Sequence, residues 1–200
     1  MIFFGTRKKR PQPDLTPTVT TPDGTRIWLQ DDLKHRDDGG PAYIGSDGRQ
    51  EWWQRGVAHR VGGPAVVTPT GEMWYKDGRL HREGGPAVVD KGGRRAWFQR
   101  GVLHREGGPA VILDGAQAWY QWGRLHCESG PAVTRIDGSR EWRSLGLLHR
   151  VDGPAVERPD GSWAWFLAGK CHREGGPAVR HSDGTEEWWV NGERQDPPTN

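Results

Sequence analysis

Histidine recurs along this chain with a regularity that suggests metal-binding or acid–base chemistry. Seven histidines each stand seven residues after a tryptophan: His35, His59, His81, His104, His126, His149 and His172. Zinc needs ligands about 2 Å from one ion, and general base catalysis needs one histidine with a special partner. Histidines spaced one repeat apart meet neither condition. We therefore predict no catalytic residue and no metal site, and expect each histidine to bond to the next turn of the chain.

Arginine follows six of these histidines, so a basic column accompanies them. Each arginine could lie across an aromatic ring, or pair with the acid of the Arg-Glu-Gly-Gly-Pro stretches at Glu83, Glu106 and Glu174. A ladder of arginines could also hold phosphates, such as those of lipid head groups. Nucleic-acid binding usually needs a basic excess, and a formal net charge of +2 gives no strong signal for it.

These residues belong to a repeat of 22–24 residues that is anchored on one tryptophan per unit. The eight tryptophans are Trp28, Trp52, Trp74, Trp97, Trp119, Trp142, Trp165 and Trp188, and we expect this tryptophan column to be the core. Glycine turns precede and follow most of them, and a Gly-Pro-Ala follows each histidine of the column. Asp-Gly between short aromatic or β-branched runs is typical of hairpins, whereas proline ends or kinks a strand.

The pattern predicts an all-β protein, an elongated repeat array of short antiparallel hairpins in a single-layer or curled β-sheet. Each unit should contain a strand around the tryptophan, a turn, a strand around Leu-His-Arg, a kink and a short Ala-Val strand. Helices are not expected, because glycine or proline interrupts the chain at short intervals along nearly all of its length. Stacked repeats of this kind bury a thin core between neighbouring units.

Three regions are predicted along the chain: an extended N-terminal arm over residues 1–22, an array of about eight repeats over residues 23–194, and a tail over residues 195–200. The arm is rich in proline, and its basic cluster is Arg7, Lys8, Lys9 and Arg10. Such a cluster could dock on an acidic protein, a membrane surface or nucleic acid. The rest of the chain is nearly neutral.

No targeting or transmembrane segment is recognised in the sequence, because its first four apolar residues are too few for either. The two cysteines, Cys127 and Cys171, fall in different columns two units apart. A separation of about 20 Å would be far beyond disulfide reach. We expect a cytoplasmic or otherwise intracellular location, or a place in a virion.

The 23-residue period, the Asp-Gly start and the aromatic-x-x-Gly-x-x-His stretch resemble the MORN repeat over residues 24–194. A weaker likeness is to choline- and glucan-binding hairpin repeats. This chain departs from the MORN pattern after the histidine, as in His104-Arg105-Glu106-Gly107-Gly108-Pro109-Ala110. The resemblance implies a single-layer sheet of hairpins and a scaffold, membrane-proximal or partner-binding module without chemistry of its own.

A second aromatic column follows the tryptophans and supplies the candidate binding surface. Its members are Trp53, Tyr75, Phe98, Tyr120, Phe166 and Trp189, and the off-register Trp122 and Trp163 are added to them. Strand alternation places this column on the face opposite the tryptophans. It could form an exposed stripe that binds a partner, or a curled sheet could bury both faces.

The leading functional hypothesis is a non-enzymatic repeat scaffold that mediates protein–protein interaction or assembly. By resemblance alone, it could be a viral or phage structural or host-interaction protein. The alternative is binding of a small ligand or phospholipid head group in aromatic and arginine cages between units. We expect protein partners or self-assembly and no cofactor, and the basic arm leaves peripheral membrane contact open.

Overall fold

The computed structural model describes residues 16–197, in which every regular element is a β-strand. Most strands are only two or three residues long, because turns interrupt the chain so often. In chain order they are β1 (Val19–Thr20), β2 (Arg26–Ile27), β3 (Leu29–Gln30), β4 (Leu33–Lys34), β5 (Tyr43–Ile44), β6 (Gln50–Glu51), β7 (Trp53–Gln54), β8 (Val57–Ala58), β9 (Val66–Thr68), β10 (Gly71–Met73), β11 (Tyr75–Lys76), β12 (Arg79–Leu80), β13 (Val88–Asp90), β14 (Arg95–Ala96), β15 (Phe98–Gln99), β16 (Val102–Leu103), β17 (Val111–Leu113), β18 (Ala116–Ala118), β19 (Tyr120–Gln121), β20 (Arg124–Leu125), β21 (Val133–Thr134), β22 (Arg140–Glu141), β23 (Arg143–Ser144), β24 (Leu147–Leu148), β25 (Val156–Glu157), β26 (Trp163–Ala164), β27 (Phe166–Leu167), β28 (Lys170–Cys171), β29 (Val179–Arg180), β30 (Glu186–Val190) and β31 (Glu193–Gln195).

The strands before each tryptophan and after each Gly-Pro-Ala, together with β1 and β31, form one antiparallel sheet of 17 strands. Within it β1 pairs with β2, β2 with β5, β5 with β6 and β6 with β9. The same order continues to β29 and β30. The predicted all-β array of antiparallel hairpins is therefore confirmed. The sheet includes β1, which lies in the stretch predicted as an arm.

A second hairpin leaves this sheet after each tryptophan and returns to it before the Gly-Pro-Ala. In the second unit, the paired residues Gln54 and Val57 flank a two-residue turn of Arg55 and Gly56. Both turn residues have positive φ, 46° and 76°, which is the type I′ geometry that suits the twist of short hairpins. The glycine turns were correctly expected here, whereas Gly71 lies inside β10 and has no positive φ.

The centre of the array is a column of alanines rather than the tryptophan column. The alanine of every Gly-Pro-Ala is fully buried, at Ala42, Ala65, Ala87, Ala110, Ala132, Ala155 and Ala178. Its carbonyl accepts a hydrogen bond of 2.7 to 2.9 Å from the tryptophan amide of the same unit. Trp28 and Trp52 are buried, but the other six tryptophans are only half-buried. The predicted tryptophan core is thus confirmed for two units only.

Candidate binding surfaces

Each histidine of the column holds the hairpin turn of the following unit. Its Nδ1 accepts a hydrogen bond of 3.0 to 3.4 Å from the first residue of that turn, and the seven donors are Arg55, Asp77, Arg100, Trp122, Leu145, Ala168 and Asn191. The expected bond to the next turn is therefore confirmed in all seven units.

The same turn gives a second amide to the preceding unit. The turn glycine donates to a carbonyl of that unit over 2.8 to 3.0 Å, from Gly56 bonding to Lys34 through Gly192 bonding to Cys171. Two amides of every turn are thus bonded to the preceding hairpin. Adjacent hairpins are joined by the backbone and one imidazole, which makes the histidine column structural.

The arginine after each histidine lies flat on the tryptophan of its own unit. In the third unit, the guanidinium carbon of Arg82 is 3.8 Å from a ring centroid of Trp74, and its Nη1 donates to the carbonyl of Pro86 over 3.1 Å. Across six units the first distance is 3.7 to 4.4 Å and the second is 3.0 to 3.2 Å. We call this arrangement the arginine clamp.

The clamp confirms that the arginine lies across an aromatic ring. The alternative partners Glu83 and Glu106 instead approach the Nε2 atoms of His81 and His104, at 3.5 and 3.9 Å. Stacking of a guanidinium on an indole is favourable both as a cation–π contact and as a planar stack.

The glycine before each proline lines the other side of the clamp. A Cβ placed on this glycine would lie only 2.7 to 3.1 Å from the guanidinium carbon, at Gly40, Gly63, Gly85, Gly108, Gly153 and Gly176. A larger residue would therefore push the arginine off the indole. This contact explains the Arg-x-x-Gly-Pro spacing, which the sequence showed without revealing its cause.

The fifth unit breaks the pattern because Cys127 stands where the others have arginine. A Cβ placed on its glycine, Gly130, would meet no atom within 4 Å. In the described part of the chain, no guanidinium lies over Trp119. A groove of about 440 Å³ opens beside this point, and Cys127, Ser129 and Gly130 are among its lining residues.

The second aromatic column is half-buried on the face opposite the tryptophans; its predicted members are Trp53, Tyr75, Phe98, Tyr120, Phe166 and Trp189. Two of these side chains donate a hydrogen bond to the residue two positions earlier. Trp53 Nε1 donates to Glu51 over 2.7 Å, and Trp189 Nε1 donates to Glu187 over 2.7 Å. The column is therefore neither fully exposed nor buried by curling, and its role in binding stays a prediction.

Glu141 shows how buried acids on this face are satisfied. Burial alone would raise its pKa, but hydrogen bonds from Arg135 and Arg143 outweigh that effect and leave the pKa below its usual value. Arg143 Nε lies 2.7 Å from the Glu141 carboxylate. Because both arginines hold the carboxylate charged, this acid is a structural ion pair rather than a proton donor.

Exposed apolar residues lie at the tips of consecutive hairpins, although Val61, Ile136 and Val151 are more exposed in other loops. Trp122 is 53% exposed at the first turn position of the fifth unit and stacks on His104 with ring centroids 4.1 Å apart. Trp163, by contrast, is half-buried in β26. We define the hairpin-tip row as the exposed side chains Val102, Trp122, Leu145, Leu147 and Leu167. It extends the candidate surface beyond the residues predicted from sequence.

No group of three or more His, Cys, Asp or Glu side chains within residues 16–197 is arranged to hold a metal ion. The same residues contain no helix long and apolar enough to cross a membrane. The predicted docking cluster, Arg7, Lys8, Lys9 and Arg10, lies outside the described residues.

These contacts define an open array of β-hairpin repeats in which each unit is bonded to the next by its turn. No protein-family model and no curated protein matches the sequence. The function of the chain is therefore inferred from the geometry of its units.

Proposed function

We propose that this protein is a non-enzymatic repeat scaffold that binds a partner protein along the hairpin-tip row. The observation that supports this most directly is the exposure of Trp122, Leu145 and Leu147, which are each more than half exposed on neighbouring hairpins. Apolar side chains grouped on a surface are typical of protein-binding sites, and tryptophan is enriched among the residues that dominate such interfaces.

Turn geometry disfavours these side chains, although Trp122 also stacks on His104. Trp122 and Leu145 occupy the first position of a type I′ turn, with φ of 48° and 50°. That position favours asparagine, aspartate or glycine, and a bulky residue there is strained. The equivalent positions of the third and eighth units are Asp77 and Asn191, which fit the turn better. Trp122 and Leu145 therefore weaken the turn locally, and a surface role explains their presence.

The test is a double variant, Trp122→Asn with Leu145→Asn, compared with Arg100→Asn at the same turn position of the fourth unit. Asparagine suits the turn, which offsets the loss of the Trp122 stack on His104, so both proteins should stay folded. Purified partners identified by cross-linking to the wild-type chain should bind Arg100→Asn equally and lose affinity for the double variant. Equal binding to all three proteins would overturn the proposal, and so would light scattering that shows no complex with any cross-linked protein.

A second candidate function is binding of a small anion between units. Trp74 Nε1 is buried and has no hydrogen-bond partner within residues 16–197, whereas Trp52 Nε1 donates to the carbonyl of Gly39 over 2.9 Å. A groove of about 400 Å³ beside Trp74 is also lined by Arg60 and Lys76. A donor and two cations suit a carboxylate or a phosphate. Calorimetric titration with inorganic phosphate should show several sites per chain, and an absence of heat would eliminate this candidate.

A further inference from the structure

We infer that the fifth unit contains a binding site for an external guanidinium group, held between the ring of Trp119 and Gly130. We call this site the guanidinium slot. It is the place that arginine fills in six other units, where the guanidinium lies 3.7 to 4.4 Å from the indole. The chain itself thus supplies six examples of the ligand in its binding geometry.

The backbone of the slot is built as in the filled units. The Trp119 amide donates to the carbonyl of Ala132 over 2.7 Å, and the His126 amide donates to the carbonyl of Trp119 over 3.0 Å. Ala132 is fully buried, like its counterparts. The replacement of arginine by Cys127 therefore leaves the backbone hydrogen bonds around Trp119 as they are in the units that hold a guanidinium.

The slot is also open. No atom lies within 4 Å of a Cβ placed on Gly130, although the six counterparts of that Cβ would be 2.7 to 3.1 Å from a guanidinium carbon. The groove of about 440 Å³ beside the slot is lined by Cys127 and Gly130 and, on its other side, by Trp142 of the next unit. A cysteine side chain is too short to reach across the indole as arginine does.

The groove beside the slot carries charges of both signs. The carboxylate of Glu128, whose side chain is 89% exposed, lies 3.6 Å from His126 Nε2. The two arginines of the groove are already paired, Arg143 with Glu141 at 2.7 Å and Arg150 with Asp152 at 3.1 Å. A planar guanidinium can stack on the indole and donate to a carbonyl together, which a compact ammonium does less well.

The ligand class is therefore a guanidinium group, either in a small molecule or on an arginine side chain of a partner. The test follows the indole N–H signal of Trp119 by NMR, assigned with Trp119→Phe. Ethylguanidinium should move this signal to saturation, and ethylurea, which has a similar shape but no charge, should not. Acetyl-Gly-Arg-Gly-amide, compared with its lysine counterpart, distinguishes the sources, because tighter binding of the arginine peptide than of ethylguanidinium indicates a partner's side chain.

Two variants should close the guanidinium slot, and a third should open an equivalent slot in another unit. Cys127→Arg fills it from within, and Gly130→Val fills it from the opposite side should the first variant fail to fold. Both should abolish the saturating shift at Trp119. Arg82→Ala creates an equivalent slot and should produce a new saturating shift at Trp74. A shift at Trp119 that does not saturate, that is equal with ethylurea, or that survives in either filled variant overturns the inference. None of these outcomes depends on the hairpin-tip row.

Discussion

Completing the arginine clamp in the fifth unit should stabilise the protein. In the Cys127→Arg variant, the new guanidinium can lie on Trp119 and donate to the Pro131 carbonyl, as Arg105 does with Trp97 at 3.8 Å and with Pro109 at 3.0 Å. No atom has to be displaced, because the space beside Gly130 is open. The variant therefore adds one clamp to the six already present.

The expected gain follows from three contributions. The cation–π contact is worth about 0.5 to 2 kcal/mol, depending on how far it is desolvated. A hydrogen bond from a charged donor adds about 1.5 to 3 kcal/mol, and ordering the arginine side chain costs about 1.5 to 2 kcal/mol. With the middle of each range, the net gain in the free energy of unfolding is about 2 kcal/mol, or about 4 to 8 °C in melting temperature for a chain of this size.

Urea unfolding followed by tryptophan fluorescence measures this gain, and Arg82→Cys is the matched control that should lose a similar amount. The Gly130→Ala substitution, made with and without Cys127→Arg, is a stricter test of the clamp. In the wild type this change should be neutral or slightly stabilising, because alanine restricts the unfolded chain and meets nothing. With Cys127→Arg present, the new methyl group would press on the guanidinium, and the change should destabilise. Equal effects of Gly130→Ala in both backgrounds would refute the clamp as the cause.

Three further predictions concern one hydrogen bond, one carboxyl group and one thiol group. His81→Ala removes the acceptor of the Arg100 amide, 3.2 Å away, and should cost about 1 to 2 kcal/mol; hydrogen exchange at that amide should quicken, and unchanged exchange would contradict the assigned bond. Hydrogen bonds, first from the Thr21 side chain, lower the pKa of Asp23 to about 2. Its folded pKa lies below its unfolded value, so its contribution to stability is present above about pH 4 and is lost as the pH falls towards 2; Asp23→Asn should flatten this acid dependence in urea titrations. Burial, and then the charge of Glu187, raise the pKa of Cys171 to about 11, so its thiol should react with iodoacetamide at pH 8.5 more slowly than free cysteine does, and equal rates would contradict this.

Turn chemistry explains how much of the fold could be predicted from sequence. Glycine at the second position of seven hairpin turns, such as Gly56 and Gly78, has the positive φ that a type I′ turn requires, and Asp32 takes that place in the first unit. A fixed period repeats that requirement along the chain. The histidine bond to the next turn was also predictable, because seven equivalent histidines need one equivalent partner each. The turn rule acts over two or three residues, whereas the histidine bond follows from the period because it joins residues 18 to 20 positions apart.

The clamp could be predicted only in part. The contact between the arginine and an aromatic ring was expected. On its other side the guanidinium lies against a glycine such as Gly108. A glycine in a sequence does not indicate which side chain packs against it. The alanine column was missed for a related reason. Ala110 is fully buried, and its carbonyl accepts a hydrogen bond from the Trp97 amide. The sequence indicated the tryptophan as the core residue instead, because it is larger and more hydrophobic. The inferred slot at Cys127 could be recognised only after the structure showed that the indole and the glycine enclose the arginine in the other units.

The bonds between a histidine and the turn that follows it are nearly the same in all seven places where they occur. A unit can therefore be removed or duplicated as a block, and the histidine before the junction will meet a turn that fits it. Genetic recombination between units would change the length of the sheet in steps of about 10 Å, the width of two strands, without requiring any new contact. The length of such a protein can change in evolution through the number of its units, while the hydrogen bonds between adjacent units stay the same.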